Sequence, residues 1–394
     1  MRKVAIMVVI LIVASGAAAL WLKRELARPY RGFSAPQVFV EIPRGTSRWS
    51  IATLLQRNGV IHSRLAFLFL SDRHHRWVLQ AGEYMFNQPV TPRQVFAQIV
   101  GGHIFVHVVV VPEGWTMFDI AAELERQKLC TKAEFLRVAS DPSLVRDIAP
   151  QAKDLEGFLF PSTYQFSRNV SPQEMAATMV REFREEWNKI ETTAQQNPPA
   201  EGAGPDPAPT PRSRVIPPLT PVQVVTLASL VERETPQPQE RPIVASVFYN
   251  RLKIHVPLQC DPTVQYGLDL VGKPTPKVTA EDLHVVSPYN TYLHRGLPPG
   301  PIANPGDASL RAALDPAQTH YLYFVANGSG GHFFARTLEE HNRNVQKYKR
   351  ILAGLPAEPP PPVHARRRVT TRKHSAGKQS AAHARRKKKV SSQQ

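Results

Sequence analysis

The residues whose types could do acid–base chemistry lie between Thr220 and Asn342, and two glutamates lead them. Thr220-Pro221-Val222-Gln223 has the form of a capping box. The run through Leu227, Ala228, Leu230 and Val231 to Pro236 then reads as a helix whose last turn carries Glu232-Arg233-Glu234-Thr235. At about 100° per residue, Glu232 falls between Val225 and Ala228, and Glu234 between Leu227 and Leu230, so both carboxyls lie in apolar sectors. A carboxyl in such surroundings, at the negative end of a helix macrodipole, has its charged form disfavoured and its pKa raised. A general acid working near neutral pH needs that state. The helix alone leaves a second reading open: an ordinary charged helix end with one glutamate paired to Arg233 or Arg241.

Downstream, polar and aromatic residues alternate with turn formers: Asn250-Arg251-Leu252, Leu258-Gln259-Cys260-Asp261-Pro262-Thr263, Ser287-Pro288-Tyr289-Asn290-Thr291-Tyr292 and Gly296-Leu297-Pro298-Pro299-Gly300. Loops of this kind present amides, hydroxyls and aromatic faces, which suit sugar hydroxyls and sugar rings. Asp261 could serve as a second carboxylate, or simply shape an Asp-Pro-Thr turn. The chain has no G-x-S-x-G, H-E-x-x-H or phosphate-cradling glycine loop. His332 and His341 read as core or hydrogen-bonding residues rather than catalytic ones. Cys130 and Cys260 stand outside any CxxC or Cys/His spacing, so neither a disulfide framework nor a metal site is expected, and no cofactor is called for.

The elements that must position these residues begin with a repeat. Ile42-Pro43-Arg44-Gly45, Ile51-Ala52 and Leu55-Gln56-Arg57 recur as Val111-Pro112-Glu113-Gly114, Ile120-Ala121 and Leu124-Glu125-Arg126. Tyr84-Met85-Phe86, Val90-Thr91-Pro92 and Val95 recur, in the same order, as Tyr164-Gln165-Phe166, Val170-Ser171-Pro172 and Met175. Each copy predicts a β-rich run, a Pro-x-Gly turn and an amphipathic helix, with Thr91-Pro92 and Ser171-Pro172 as N-cap and first helical residue. This is a small α+β unit used twice, as a scaffold or as a grip on an extended polymer.

The ends differ from this body. Val4 to Leu22 is an uncharged run between Arg2-Lys3 and Lys23-Arg24, near the length that crosses a bilayer and longer than the usual signal-peptide core. The charges after it outnumber those before it, so the positive-inside rule taken alone leaves the body in the cytoplasm. The net charge of +17 sits mostly at the ends: 11 Lys/Arg and no acid follow Val363, and the body between Gly32 and Pro362 has 32 basic and 31 acidic residues. A nearly neutral body lacks the basic face of a nucleic-acid-binding domain, so no specific nucleic acid is expected. The stretch of 197–219 is Pro-rich and reads as an extended linker or insertion, and 356–394 as a disordered Pro-rich, then Lys/Arg-rich tail.

Leu227-Ala228-Ser229-Leu230-Val231-Glu232-Arg233-Glu234-Thr235, Leu258-Gln259-x-Asp261-Pro262-Thr263, Tyr289-Asn290-Thr291-Tyr292, Gly296-Leu297-Pro298-Pro299-Gly300 and Tyr321-Leu322-Tyr323-Phe324-Val325, in this order, resemble the MltG (YceG-like) endolytic murein transglycosylases. The likeness covers about residues 1 to 352. It implies an α+β protein with a membrane anchor (1–31), two small α+β, LysM-like modules (32–103 and 104–196, the second with a helix), the linker, and a lysozyme-like, YceG-type α+β catalytic domain (220–355). It implies a single-pass protein of the bacterial inner membrane with its body in the periplasm. The implied activity is internal cleavage of nascent peptidoglycan glycan strands, limiting their length and leaving 1,6-anhydro-N-acetylmuramic acid ends. Glu234 corresponds to the family's catalytic glutamate, with Glu232 as the fallback. Gln259, Asp261, Thr263, Tyr289, Asn290 and Tyr292 are the expected substrate-binding residues, and penicillin-binding proteins and other wall synthases are candidate partners. Cys260 stands where the family commonly has Thr, and the Pro-rich stretch and the basic tail fall outside its pattern. The competing expectation is a membrane-anchored peptidoglycan-binding scaffold without turnover.

Overall fold

The computed structural model describes residues 2–196 and 219–358. Nearly all of the Pro-rich stretch and of the basic tail therefore lies outside the described residues.

Helix α1 (Arg2–Ala27) spans 26 residues, about 39 Å at 1.5 Å per residue, against a hydrocarbon core of roughly 30 Å. Its apolar part is exposed, whereas Glu25 and Leu26 at its end are buried. Leu26 joins the core of the first module, and Glu25 receives a hydrogen bond from His62 Nδ1 at 3.2 Å. The helix thus has the length and composition of a single membrane span whose last turn is built into the body.

The repeat folds as two copies of one order of elements. The first copy is β1 (Val38–Ile42), α2 (Arg48–Arg57), α3 (Arg64–Arg73), β2 (Gly82–Phe86) and α4 (Pro92–Val100). The second is β3 (His107–Val110), α5 (Met117–Arg126), α6 (Lys132–Ala139), β4 (Thr163–Phe166) and α7 (Pro172–Gln196). In each copy the two strands pair antiparallel, with Val40 opposite Tyr84 and Val109 opposite Tyr164. The correspondence extends to single bonds. Tyr84 donates its hydroxyl to the Gln80 carbonyl at 2.8 Å and Tyr164 to the Phe160 carbonyl at 2.6 Å, each four residues upstream. Gly45 (φ +81°) and Gly114 (φ +79°) turn the Pro-x-Gly corners in the left-handed region, where a side chain is strained. Thr91 with Gln94, and Ser171 with Glu174, close reciprocal capping boxes.

The segment from Thr220 onward is organised around α8 (Pro221–Glu234), whose residues from Val224 to Val231 are all buried. A helix buried on every side must be enclosed; α9 (Arg241–Lys253), α10 (Asp261–Leu270) and α11 (Asp307–Leu314) enclose it. A hairpin of β5 (Tyr323–Ala326) and β6 (His332–Ala335), with Phe324 opposite Phe334, is covered by α12 (Leu338–Leu352). The first module has its own core with the end of α1, whereas the second module and the segment from Thr220 onward share one. That shared core runs from Val109 and Leu124 through Phe183 on α7 to Val225, Leu230 and Phe248. Segments read as separate on either side of the Pro-rich stretch are therefore one hydrophobic unit. The sequence hides this because α7 and α8 each present an ordinary apolar face whose partner is remote.

A buried carboxyl fastens this unit. Glu156, 1% exposed, accepts hydrogen bonds from the Met117 N–H at the start of α5 (3.0 Å), Tyr266 Oη (3.1 Å) and Asn304 Nδ2 (3.0 Å). Burial pushes its pKa up to about 8, against the opposing effect of the donors. Replacing it with Ala leaves three buried donors unpaired, and Glu156→Ala is expected to lose on the order of 2–4 kcal/mol, read from urea midpoints. A loss below about 0.5 kcal/mol would mean that the latch carries no load.

Candidate active site

Helix α8 stops at Glu234 because Thr235 leaves helical geometry (φ −138°, ψ 127°) and Pro236 follows. The Glu234 carboxyl opens onto a cavity of about 330 Å³ lined also by Arg251, Leu258, Gln259, Asp261 and Tyr292, and by the β5–β6 hairpin. Its pKa is pushed up to about 7, first by burial; the neighbouring charge of Asp261 also raises it, while the Cys260 thiol and Arg251 oppose the rise. A carboxyl in this state is half-protonated near neutrality and can give up a proton and take one back.

Glu232 is placed differently. Its Oε1 is 2.8 Å from Arg241 Nη2, and its Oε2 accepts from the Gly306 N–H at 3.0 Å. Arg241 also pairs with Glu113 at 3.1 Å, tying the second module to α9. A side chain on Gly306 would displace the half-exposed Glu113 carboxylate from Arg241. The pairing with Arg241 left open for one glutamate belongs to Glu232, which is absent from the cavity lining.

A short chain of residues fixes the floor of the cavity. Gln259 sits at φ +54°, a region that disfavours a side chain by roughly 1–2 kcal/mol. It is held there by its N–H on the Thr291 carbonyl (3.2 Å) and by Arg251 Nη1 on its Oε1 (3.2 Å). Next to it, the Cys260 N–H donates to Thr291 Oγ1 (3.0 Å), and the Thr263 hydroxyl donates to the Cys260 carbonyl (2.6 Å). Burial and the adjacent Glu234 push the Cys260 thiol well above its ordinary pKa, so it remains a thiol and can donate to the carboxyl. Asp261 accepts from Tyr292 Oη at 2.5 Å.

Of the residues expected to bind substrate, Gln259, Asp261 and Tyr292 line the cavity with Glu234, and Thr263, Tyr289 and Asn290 do not. Thr263 is fully buried within the threonine knot. Asn290 is fully buried as well, and donates its amide to the Leu283 (3.0 Å) and Val285 (2.8 Å) carbonyls. Tyr289 packs on Tyr266 at 4.9 Å. Their amides and hydroxyls shape the wall instead of facing the cavity.

Arg251, His332 and His341 belong to the lining without having been singled out for it. Arg251 donates to the Leu322 (2.6 Å) and Leu258 (2.9 Å) carbonyls and lies over the Tyr323 ring at 5.0 Å. It thereby locks the hairpin to the floor and brings a positive charge near Glu234. The quoted Asn250-Arg251-Leu252 triplet was a usable signal for it. No group of residues suited to a metal ion occurs among the described residues.

Comparison with known proteins converges on one family. The sequence profile of the YceG-like family matches residues 40–347. An endolytic murein transglycosylase of Bacillus subtilis (strain 168) is 32% identical over 341 residues, covering 82% of this chain and 88% of that one. One from Streptococcus pneumoniae (strain D39) is 26% identical over 349 residues, covering 81% of this chain and 60% of that longer one. The crystal structure of a yceG-like protein from Listeria monocytogenes superposes with a TM-score of 0.50 at 33% identity, covering 78% of this chain and 98% of that one. With the profile spanning most of the body and both the glutamate-bearing helix and the cavity floor inside it, the chain belongs to the YceG-like family.

Proposed function

We propose that the chain is an endolytic murein transglycosylase that cuts peptidoglycan strands with Glu234 as its one acid–base group. The observation that carries this is the isolation of that carboxyl. It is the last residue of a buried helix, on a cavity, pushed up to about 7. The other carboxyl of the lining, Asp261, is engaged by Tyr292. Glycosidases that activate water or form a covalent intermediate use a pair of carboxyls. One suffices where the nucleophile belongs to the substrate and is already in place.

Protonated Glu234 gives its proton to the oxygen between N-acetylmuramic acid and the next sugar, and that bond breaks. The resulting carboxylate removes the proton of the muramyl C6 hydroxyl, and C6 oxygen bonds to the anomeric carbon. A 1,6-anhydro end forms, Glu234 is protonated again, and no water is consumed. Gln259, Asp261 and Tyr292 hold the strand on the cavity floor; Thr263, Tyr289 and Asn290 support it from behind. The names of the similar proteins from B. subtilis and S. pneumoniae support this reading over a non-catalytic scaffold.

Nascent peptidoglycan lies outside the cytoplasmic membrane, so the substrate places the body in the periplasm, anchored by α1 in the inner membrane. This overrides the charge balance around the span. There the protein limits strand length beside penicillin-binding proteins and other wall synthases. The bounds 32–103 and 104–196 for two LysM-like modules fit the repeated βααβα order. Full-length protein in detergent is expected to convert uncrosslinked strands to fragments ending in anhydromuramic acid, read by mass spectrometry. Reducing N-acetylmuramic acid ends would identify a hydrolase, and no fragments would leave the scaffold.

A further inference from the structure

The β5–β6 hairpin and α12 form a second wall of the cavity, carrying His332 and His341 beside Phe324, Val325 and Ala326, that the acid–base step of Glu234 does not use. Its central residue is His332. Glu240 Oε2 lies 2.7 Å from His332 Nδ1, and Glu240 Oε1 accepts the His332 backbone N–H at 2.8 Å. The ring stands edge-on to Phe324, with centroids 5.3 Å apart. A carboxylate gripping both the backbone and Nδ1 places the ring proton on Nδ1, so in the neutral ring Nε2 keeps its lone pair. Nε2 has no hydrogen-bond partner among the described residues, while the side chain lines the cavity. Glu240 also accepts from Thr235 Oγ1 at 3.2 Å, so one carboxylate sets both the residue after Glu234 and the imidazole.

An independent observation points the same way. His341, stacked on Tyr323 at 5.2 Å, lines the same cavity, and its Nδ1 is buried without a hydrogen-bond partner. Burial, then the charge of Arg251, holds its pKa below the ordinary value. Buried unpaired nitrogens are rare and ask for a partner. In the tautomer that Glu240 sets, Nε2 of His332 is an acceptor that a carboxylate or carbonyl ligand could not satisfy and a hydroxyl-bearing one could, with His341 beside it on the same wall.

We propose that His332, oriented by Glu240, accepts a hydrogen bond from the muramyl C6 hydroxyl and holds it for attack on the anomeric carbon, with His341 lining the same hydroxyl-binding wall. This rests on the transglycosylase reading, in which that hydroxyl is the nucleophile. While Glu234 is donating its proton it cannot also hold the nucleophile, and a fixed acceptor fills that interval. His332 is then a catalytic residue that touches substrate, and Glu240 a positioning residue that acts through it. No proton leaves the hydroxyl until Glu234 is a carboxylate, so the proton balance of the reaction is unchanged.

The test uses full-length protein in detergent on uncrosslinked strands, with both rate and product ends measured. His332→Ala is expected to lower kcat by about 10- to 100-fold, the range of a misplaced reacting group, with KM within about threefold of wild type. A fraction of reducing ends from water attack should appear. His332→Gln, whose amide reaches the place of Nε2, should recover most of the rate, and His332→Asn, which reaches only that of Nδ1, should not. Glu240→Gln should slow the wild type and add little in the His332→Gln background, because the two act as one unit. Equal losses for Ala and Gln with a matching fall in thermal stability, or full activity of His332→Ala, would overturn the proposal. Wild type without anhydro ends would instead overturn the transglycosylase reading on which it rests.

Discussion

Glu234→Gln is expected to abolish strand cleavage and, at pH 8, to make the protein more stable than wild type by on the order of 3 kcal/mol. The amide keeps the shape of the side chain and can still meet Cys260, but it cannot be charged. In the wild type, burial raises the carboxyl from its ordinary value to about 7. The folded state therefore binds that proton more tightly than the unfolded state does. Below about pH 4.5 both states are protonated and the site carries no penalty. As pH rises from there to about 7, the unfolded chain gains freedom to ionise that the folded chain lacks, so stability falls, and above that the loss is constant. The two proteins should melt together near pH 4 and diverge by pH 8. The same proton sets an alkaline limit on turnover near pH 7, since only the protonated form can begin the reaction. A Gln variant that is less stable at both pH values would show that Glu234 is not held in a desolvated, poised state, and residual cleavage would move the acid elsewhere.

That Glu234 would sit in an apolar sector was legible because helical periodicity is a local property, but the same periodicity placed Glu232 in one too, and the choice between them came from the family resemblance. Leu227 and Leu230 flank Glu234 on the helical wheel, and that face is buried by the helices packed around α8. The duplicated module was legible for a similar reason, since Tyr84 and Tyr164, Gly45 and Gly114, and the Thr-Pro and Ser-Pro caps each specify a bond or a φ angle within a few residues. The opposite wall of the cavity was not. Arg251 comes near Glu234 through the packing of α9 on α8, and His332 joins the same cavity only because the hairpin folds back onto α9, a contact between residues some 70 positions apart (Arg251 to Leu322). Residue type also misleads at such places. Asn290 and Gln259 are both amides in turn-rich stretches, yet the first spends its donors on two carbonyls of its own loop and the second faces the cavity from a left-handed backbone. Glu156 had no sequence signal, because its donors come from Met117, Tyr266 and Asn304 in three distant segments.

Arg241→Ala is expected to lose about 3–5 kcal/mol, because it strands Glu232 as a buried charge. The side chains of Arg241 and Glu232 are 7% and 5% exposed. Burial raises the pKa of Glu232, while the Gly306 N–H and Arg241 oppose that rise. Without the guanidinium, the carboxyl must either ionise unpaired or take up a proton, and Glu113 loses its ion pair with α9 as well. Glu232→Gln is milder, since its amide oxygen keeps one of the two bonds, to Arg241 or to the Gly306 N–H, while its NH2 faces the other donor; a loss of roughly 1–3 kcal/mol is expected. The decisive measurement is rate per folded molecule. At a temperature where Glu232→Gln is fully folded, it should cut strands within a few-fold of wild type, while Glu234→Gln, at least as stable, is inactive. If Glu232→Gln were folded and dead, the proton donor would be the residue that Arg241 holds, and the mechanism would have to begin from an ion-paired carboxylate. The geometry argues against that start. A carboxylate already committed to a guanidinium and a backbone N–H, outside the cavity lining, has no proton to give and no path to the glycosidic oxygen.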